Sequence, residues 1–209
     1  MEQFHSYRPA DGHGLRHNPL PTIIGPRPIA WISSKSPRGI LNLAPYSFFN
    51  LFNYTPPIIA FSSVGHKDSL KNIESSKEFV CNIVDFSLAP QMNETSAPLA
   101  YEISEFDYTN LDALPSLVVN VPRVQQARVA LECQLSNIVQ LNDAKGHLLP
   151  TWMVMAEVVC VHINQNIITG DAIDRSKFRQ ILRGGGATDY YEVDPDKSFH
   201  MKRPSAEKS

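Results

Sequence analysis

The stretch "RVALECQLSNIVQL", residues 128–141, decides the class of fold. Val129, Leu131, Cys133, Leu135, Val139 and Leu141 share one parity, while Arg128, Glu132, Gln134 and Ser136 face the other way. Alternation with a period of two marks a strand with one face on a core and one toward water. Beyond the turn "NDAKGH" comes "TWMVMAEVVCVHI" (151–163), apolar at nearly every position. That run predicts a strand covered on both faces, by a barrel interior on one side and by a helix or partner subunit on the other.

Toward the N-terminus, "PIAWISS" (28–34), the turn "KSPRG" and "ILNLAPY" (40–46) predict a hairpin. "PIIAFSSV" (57–64) and "EFVCNIVDF" (78–86) add two strands. Helices are fewer. "DSLKNIESSK" (68–77) has Asp68 as N-cap with Leu70 and Ile73 one turn apart. "IDRSKFRQILRGGG" (173–186) has Asp174 as N-cap, an apolar stripe of Phe178, Ile181 and Leu182, and glycines as a helix stop. A third short helix is expected within 87–97, while 98–127 reads as irregular, with Pro98, Pro115 and Pro122. Six strands in hairpin order with few helices predict a mainly β, antiparallel barrel.

The 209 residues fit one large domain, and 43% hydrophobic content is enough for a sizeable core. A net charge of −2 leaves no basic footprint, so no nucleic-acid partner is expected. No run has the length of a membrane span and Met1–Pro9 lacks an apolar signal core, which predicts a cytoplasmic protein. Asn93-Glu94-Thr95, a glycosylation sequon, is then silent. Cys81, Cys133 and Cys160 lie in separate apolar runs and read as small buried hydrophobes, without a disulfide or zinc framework. His13 and His17 in the polar arm are spaced to share a helical face and hold a metal, but Gly12 and Gly14 oppose a helix there. No metal site is expected.

The catalytic inventory is thin: G-x-S-x-G, H-E-x-x-H, Cys-x-x-Cys, G-x-G-x-x-G and the Walker loop are all missing. Such a chain often borrows its chemistry from a cofactor. The best anion site is "GHKDSLKNI" (65–73), where Lys67, the Ser69 hydroxyl and unpaired helix N–H groups suit a phosphate. The alternative is that Asp68 merely caps the helix and Lys67 stays in water. Arg27, held between Pro26 and Pro28, is a second cation at the mouth of a strand, or a solvated one. In "GILNLAPYSFFNLFN" (39–53), Asn42, Ser47, Asn50 and Asn53 are threaded among apolar residues. Ala44-Pro45 keeps the backbone slim enough for a flat ligand; Phe48 and Phe49 either wall that ligand or face the core.

"RPIAWISS" (27–34), "GILNLAPYSFFN" (39–50), "PPIIAFSS" (56–63), "KDSLKNI" (67–73), "EFVCNIV" (78–84), "MNETSAPL" (92–99), "LECQL" (131–135) and "RGGG" (183–186) occur in one order. Over roughly residues 20–191 the chain resembles the flavin reductase-like proteins with an FMN-binding split barrel, the flavoredoxin-like branch in particular. The resemblance implies a six-stranded antiparallel Greek-key split β-barrel with a few short helices, and a homodimer with FMN near its interface. The barrel then spans 20–193, between an arm (1–19) and a tail (194–209).

By the same resemblance, Arg27, Pro28 and Ile29 border the flavin. Ala44, Tyr46, Ser47, Phe48 and Asn50 contact its ring, ribityl chain or phosphate, and Ser62 and Ser63 lie beside the ribityl-phosphate. Lys67, Asp68 and Ser69 match a phosphate-binding element. Arg183 and Gly185 match an Arg-x-Gly-Gly element that approaches the cofactor, followed by Tyr190 or Tyr191. One departure is Gly184, where similar proteins often carry Leu. The implied activity is an FMN-dependent oxidoreductase that moves hydride from NADH or NADPH through flavin to a protein or small-molecule acceptor. The alternatives are an FMN-binding electron carrier without efficient NAD(P)H oxidation, and a barrel that has lost its cofactor.

Overall fold

The computed structural model describes residues 3–204. Its centre is one antiparallel sheet of seven strands: β1 (Ala30–Lys35), β2 (Leu41–Tyr46), β3 (Phe49–Tyr54), β4 (Pro57–Val64), β5 (Glu78–Ile83), β6 (Val129–Asn142) and β7 (Leu148–Ile163). Their order is β2-β1-β5-β6-β7-β4-β3. The class is the expected one, with one strand more than the expected six. The addition is β3, from "FNLFNY" (49–54), which is not among the strands expected from the sequence. All but its first residue are exposed, so it shows no alternation between core and water.

The sheet curls so that β2, at one end, comes against β4, the second strand from the other end. Tyr46 of β2 and Phe61 of β4 stack with ring centroids 4.7 Å apart, and Phe79 of β5 meets Phe61 edge-on at 5.7 Å. Ala30, Ile32, Cys81, Cys133, Val154 and Ala156 fill the same interior. Helix α1 (Asp68–Ser76) closes one end by inserting Leu70 and Ile73. Its capping residue is Lys67, one position before the expected Asp68, and the helix ends where Lys77 turns left-handed at φ 61°.

The other face of β1, β2 and β5 is covered by 84–127. Trp31, Leu43, Met92, Phe106 and Val124 form that second core, and Trp31 Nε1 donates to Thr95 Oγ1 at 2.9 Å. The covering segment holds α2 (Ala89–Glu94), α3 (Glu105–Tyr108) and a ribbon of Ala113–Leu114 with Arg123–Val124. Loop 115–122 also corrects the reading of Glu132, expected on the solvent face. Glu132 is fully buried because Leu117, Val118 and Val119 donate their N–H groups to its carboxylate. Burial opposes its ionisation, but these bonds and His162 outweigh that and hold its pKa at about 2. Further along β6 the pairing slips, so Ile138 packs on the core while Val139 is exposed. β7 buries Val154, Ala156 and Val158, but Val161 is exposed, so its outer face is not covered throughout.

The helix expected at 173–183 does not form. Asp174 accepts from the Ser176 N–H in a local turn, and Ile181–Arg183 is a strand. That strand pairs with Arg27–Pro28 on one side and Tyr190–Glu192 on the other. Backbone partners on both edges outweigh the local helical preference, and the three glycines form the connection to Tyr190 instead of a helix stop. Cys81 and Cys133 are buried, Cys160 is half-buried, and all three are free thiols. His13 and His17 share no helix; His13 Nδ1 accepts the Leu15 N–H at 3.0 Å. Residues 205–209 of the expected tail lie outside the described residues. Among the described residues no helix is long and apolar enough to cross a membrane.

Candidate functional site

The end of β2 and the start of α1 face each other across a cavity of about 320 Å³. Strand periodicity puts Asn42, Ala44 and Tyr46 on one face of β2, toward the cavity. α1 contributes Lys67, Asp68 and Ser69, and Thr95–Leu99 with Glu105 complete the wall. The first intrahelical bond runs from the Lys71 N–H to the Lys67 carbonyl, so the N–H groups of the first turn lack such partners. Lys67 is exposed above them, and Asp68 is bridged to Lys71 Nζ at 3.0 Å.

A hydrogen-bonded floor fixes these elements. Asn42 Nδ2 donates to both Glu105 oxygens at 3.0 Å, and the Leu43 N–H donates to Oε2 at 2.8 Å. Ser69 Oγ donates to Asn42 Oδ1 at 2.6 Å, and Ser34 Oγ donates to the same oxygen at 3.2 Å. Burial raises the Glu105 pKa above the usual carboxylate range in spite of these bonds. Among the described residues the buried Tyr46 hydroxyl has only the Ser69 and Ser63 hydroxyls beside it and no well-formed hydrogen bond; burial raises its pKa, opposed by those two hydroxyls.

A second cluster lies where Arg27 pairs across strands with Arg183. The Arg27 guanidinium sits 5.5 Å from the Phe48 ring centre and donates to the carbonyls of Pro21, Ile24 and Gly184. Its Nε is buried and unpartnered, and burial, then the neighbouring Arg183, lowers its pKa. Arg183 stacks at 4.9 Å over Tyr190 and donates to the carbonyls of Gly186, Ala187 and Asp189. Gly185 is packed against the Leu20–Ile23 helical turn: a Cβ there would lie 1.8 Å from Thr22 Oγ1.

Of the expected residues, the cavity gathers Ala44, Tyr46, Lys67, Asp68 and Ser69. Arg27, Phe48 and Arg183 form the second cluster, with Gly185 beside it. Pro28 is half-buried opposite Leu182, and Ile29 is buried in the second core. Ser47 is half-buried between β2 and β3, and Asn50 is exposed, its Oδ1 accepting the Leu51 N–H. Ser62 and Ser63 are buried in β4, where Ser63 Oγ donates to the Gly65 carbonyl. Sequence reasoning assigned no role to Thr95–Leu99, although "MNETSAPL" was a visible motif. It also missed Glu105, which sits in a segment without periodicity.

The family described as "Flavin reductase like domain" matches residues 25–181. The chain belongs to that family. The matched span covers the seven strands and α1 and stops at Ile181, short of Arg183 and Gly185. Among solved structures, this flavin reductase-like chain is similar to nitrilotriacetate monooxygenase component B from Bacillus cereus. The two share 29% identity at a TM-score of 0.85, over 96% of this chain and 100% of that one. It is also similar to the 2-nitrobenzoate 2-nitroreductase of Pseudomonas fluorescens, with 30% identity, a TM-score of 0.78 and 91% of each chain covered. A protein of Shewanella frigidimarina with a split barrel domain shares the fold at a TM-score of 0.74 and 23% identity, over 90% of each chain. The curled seven-stranded sheet is thus a split barrel, and family membership ties the chain to flavin-related redox chemistry.

Proposed function

We propose that this chain is an FMN-binding oxidoreductase that takes hydride from NADH or NADPH and delivers electrons to a further acceptor, protein or small molecule. One observation carries the reading. In a chain of this family, Lys67, the free N–H groups of α1 and the Ser69 hydroxyl stand at one cavity with Asn42 and Tyr46. That donor set fits a phosphate dianion and an adjoining polar chain.

FMN, when bound, supplies a hydride acceptor and an electron relay. The protein's part is placement. Lys67 and the first turn of α1 hold the phosphate, and the Ser69 hydroxyl turns from Asn42 toward it. Ala44 and Pro45 leave a slim wall at the end of β2, which a flat ring can approach. Arg27, fixed by the Ile24 and Gly184 carbonyls and stacked on Phe48, sets a positive charge beside that ring. Ser47 and Asn50 belong to the same rim, and Ser62 and Ser63 support it from β4. Hydride transfer itself asks no side chain to act as acid or base, in keeping with the thin catalytic inventory.

The reading also takes residues 20–193 as the flavin-binding unit and the protein as a homodimer of the cytoplasm. Three free cysteines suit a reducing compartment. The test is spectroscopic. Purified protein should take up FMN and bleach under anaerobic NADH or NADPH. Bleaching by dithionite alone would make it an electron carrier instead, and failure to bind FMN would remove both readings. Lys67→Ala combined with Ser69→Ala should weaken FMN binding far more than riboflavin binding; equal losses would dismiss the phosphate cradle.

A further inference from the structure

A second group of reactive side chains stands outside the flavin site. β6 and β7 pair so that Cys160 lies opposite Glu132 and His162 opposite Ala130. Cys160 and His162, two residues apart on one strand, leave the same face. His162 Nε2 is 2.6 Å from Glu132 Oε1 and 3.8 Å from Cys160 Sγ. The three donor atoms lie within 4.8 Å of one another. None of them lines the cavity between β2 and α1.

We propose that Glu132, Cys160 and His162 form a site for a borderline divalent cation of the zinc type. The donor set is one carboxylate oxygen, one imidazole nitrogen and one thiolate, which suits Zn²⁺ better than Mg²⁺ or Ca²⁺. The carboxylate is preoriented, because Leu117, Val118 and Val119 N–H groups grip it at 2.7–3.0 Å. Such outer bonds are what orient metal ligands in established sites. With ligands at about 2.0–2.3 Å, a tetrahedral ion separates its donors by roughly 3.3–3.7 Å. The sulfur-to-nitrogen distance of 3.8 Å lies just above this range. The nitrogen-to-oxygen contact has to open by about 0.7 Å, and His162, partly exposed at the edge of a cleft, is the ligand that would turn.

Of the three donors His162 borders a cleft of about 560 Å³ with Leu114, Arg123 and Arg128, the side from which the ion and a water as fourth ligand would enter. Binding releases the Cys160 thiol proton and leaves the imidazole neutral with its proton on Nδ1; no oxidation state changes. The bound ion ties β6 to β7 and, through the carboxylate, to loop 115–122.

Cobalt is the probe. Anaerobic titration of the full chain with Co²⁺ should load one ion per chain and give a thiolate-to-cobalt charge-transfer band that Zn²⁺ displaces. Cys160→Ser should abolish the band. His162→Gln should weaken cobalt binding at least about tenfold, since even loss of an outer partner costs that much. Zn²⁺ should raise the thermal midpoint of the wild type and leave that of Cys160→Ser unmoved. The absence of a band in the wild type overturns the proposal. So does a band that survives Cys160→Ser, or unchanged affinity in His162→Gln, because the ion then sits elsewhere, for example on the arm histidines.

Discussion

Tyr46 and Glu105 show how the site holds polar groups that the ligand-free fold tolerates only at a cost. A buried hydroxyl without a partner costs about 1–3 kcal/mol, and the Tyr46 oxygen is close to that state, with no well-formed bond and only the Ser69 and Ser63 hydroxyls beside it. Tyr46→Phe is therefore expected to raise the ligand-free thermal midpoint while weakening FMN binding. A variant that loses stability without ligand would show that the hydroxyl is already satisfied. Glu105 supplies a pH signature. Its pKa is raised above the ordinary 4.5, with burial as the largest cause. The folded chain then binds more protons than the unfolded chain between 4.5 and the raised value, so stability falls as pH rises through that window. Urea midpoints for wild type minus Glu105→Gln should be largest below that window and decline across it. A difference independent of pH would mean that Glu105 titrates normally.

At the scale of elements, one close joint is the contact between the glycine turn after Ile181–Arg183 and the Leu20–Ile23 helical turn. A Cβ on Gly185 would meet Thr22 Oγ1 at 1.8 Å and the Thr22 Cα at 2.7 Å. Gly185→Ala should therefore cost about 1–3 kcal/mol, the usual range for overpacking. Adding Thr22→Ala should not restore it, because the Cα remains in the way; full rescue would place the strain elsewhere. This joint also marks where the sequence stopped being legible. β1, β2 and β4 through β7 could be read because each sends apolar side chains into a core. β3 could not, since its apolar residues face outward. The false helix at 173–183 had a valid local signal, Asp174 and an apolar stripe, but tertiary pairing on both edges of Ile181–Arg183 decided the matter. Lys67, Asp68 and Ser69 were readable because a helix start is a local event. Glu105 reaches Asn42 across 63 residues, and no local pattern announces such a bond.

At the scale of the whole molecule, β3 is an edge strand with an exposed apolar surface. It ends the sheet, and Leu51, Phe52 and Tyr54 on it are 46%, 64% and 85% exposed. An exposed apolar edge strand invites pairing or aggregation unless a partner covers it. Phe48, next to β3 and half exposed, also stacks on Arg27, so the same surface borders the proposed ring site. A second copy laid over β3 would bury the apolar edge and enclose that site together. Charged residues on the edge should block this association without disturbing the core, because neither Phe52 nor Tyr54 packs inside. Phe52→Glu with Tyr54→Lys is therefore expected to convert a dimer to a folded monomer in sedimentation velocity, and to loosen FMN binding with it. A wild-type chain that sediments as a monomer at micromolar concentration would sink the dimer reading. A double variant that stays dimeric would move the interface to another face.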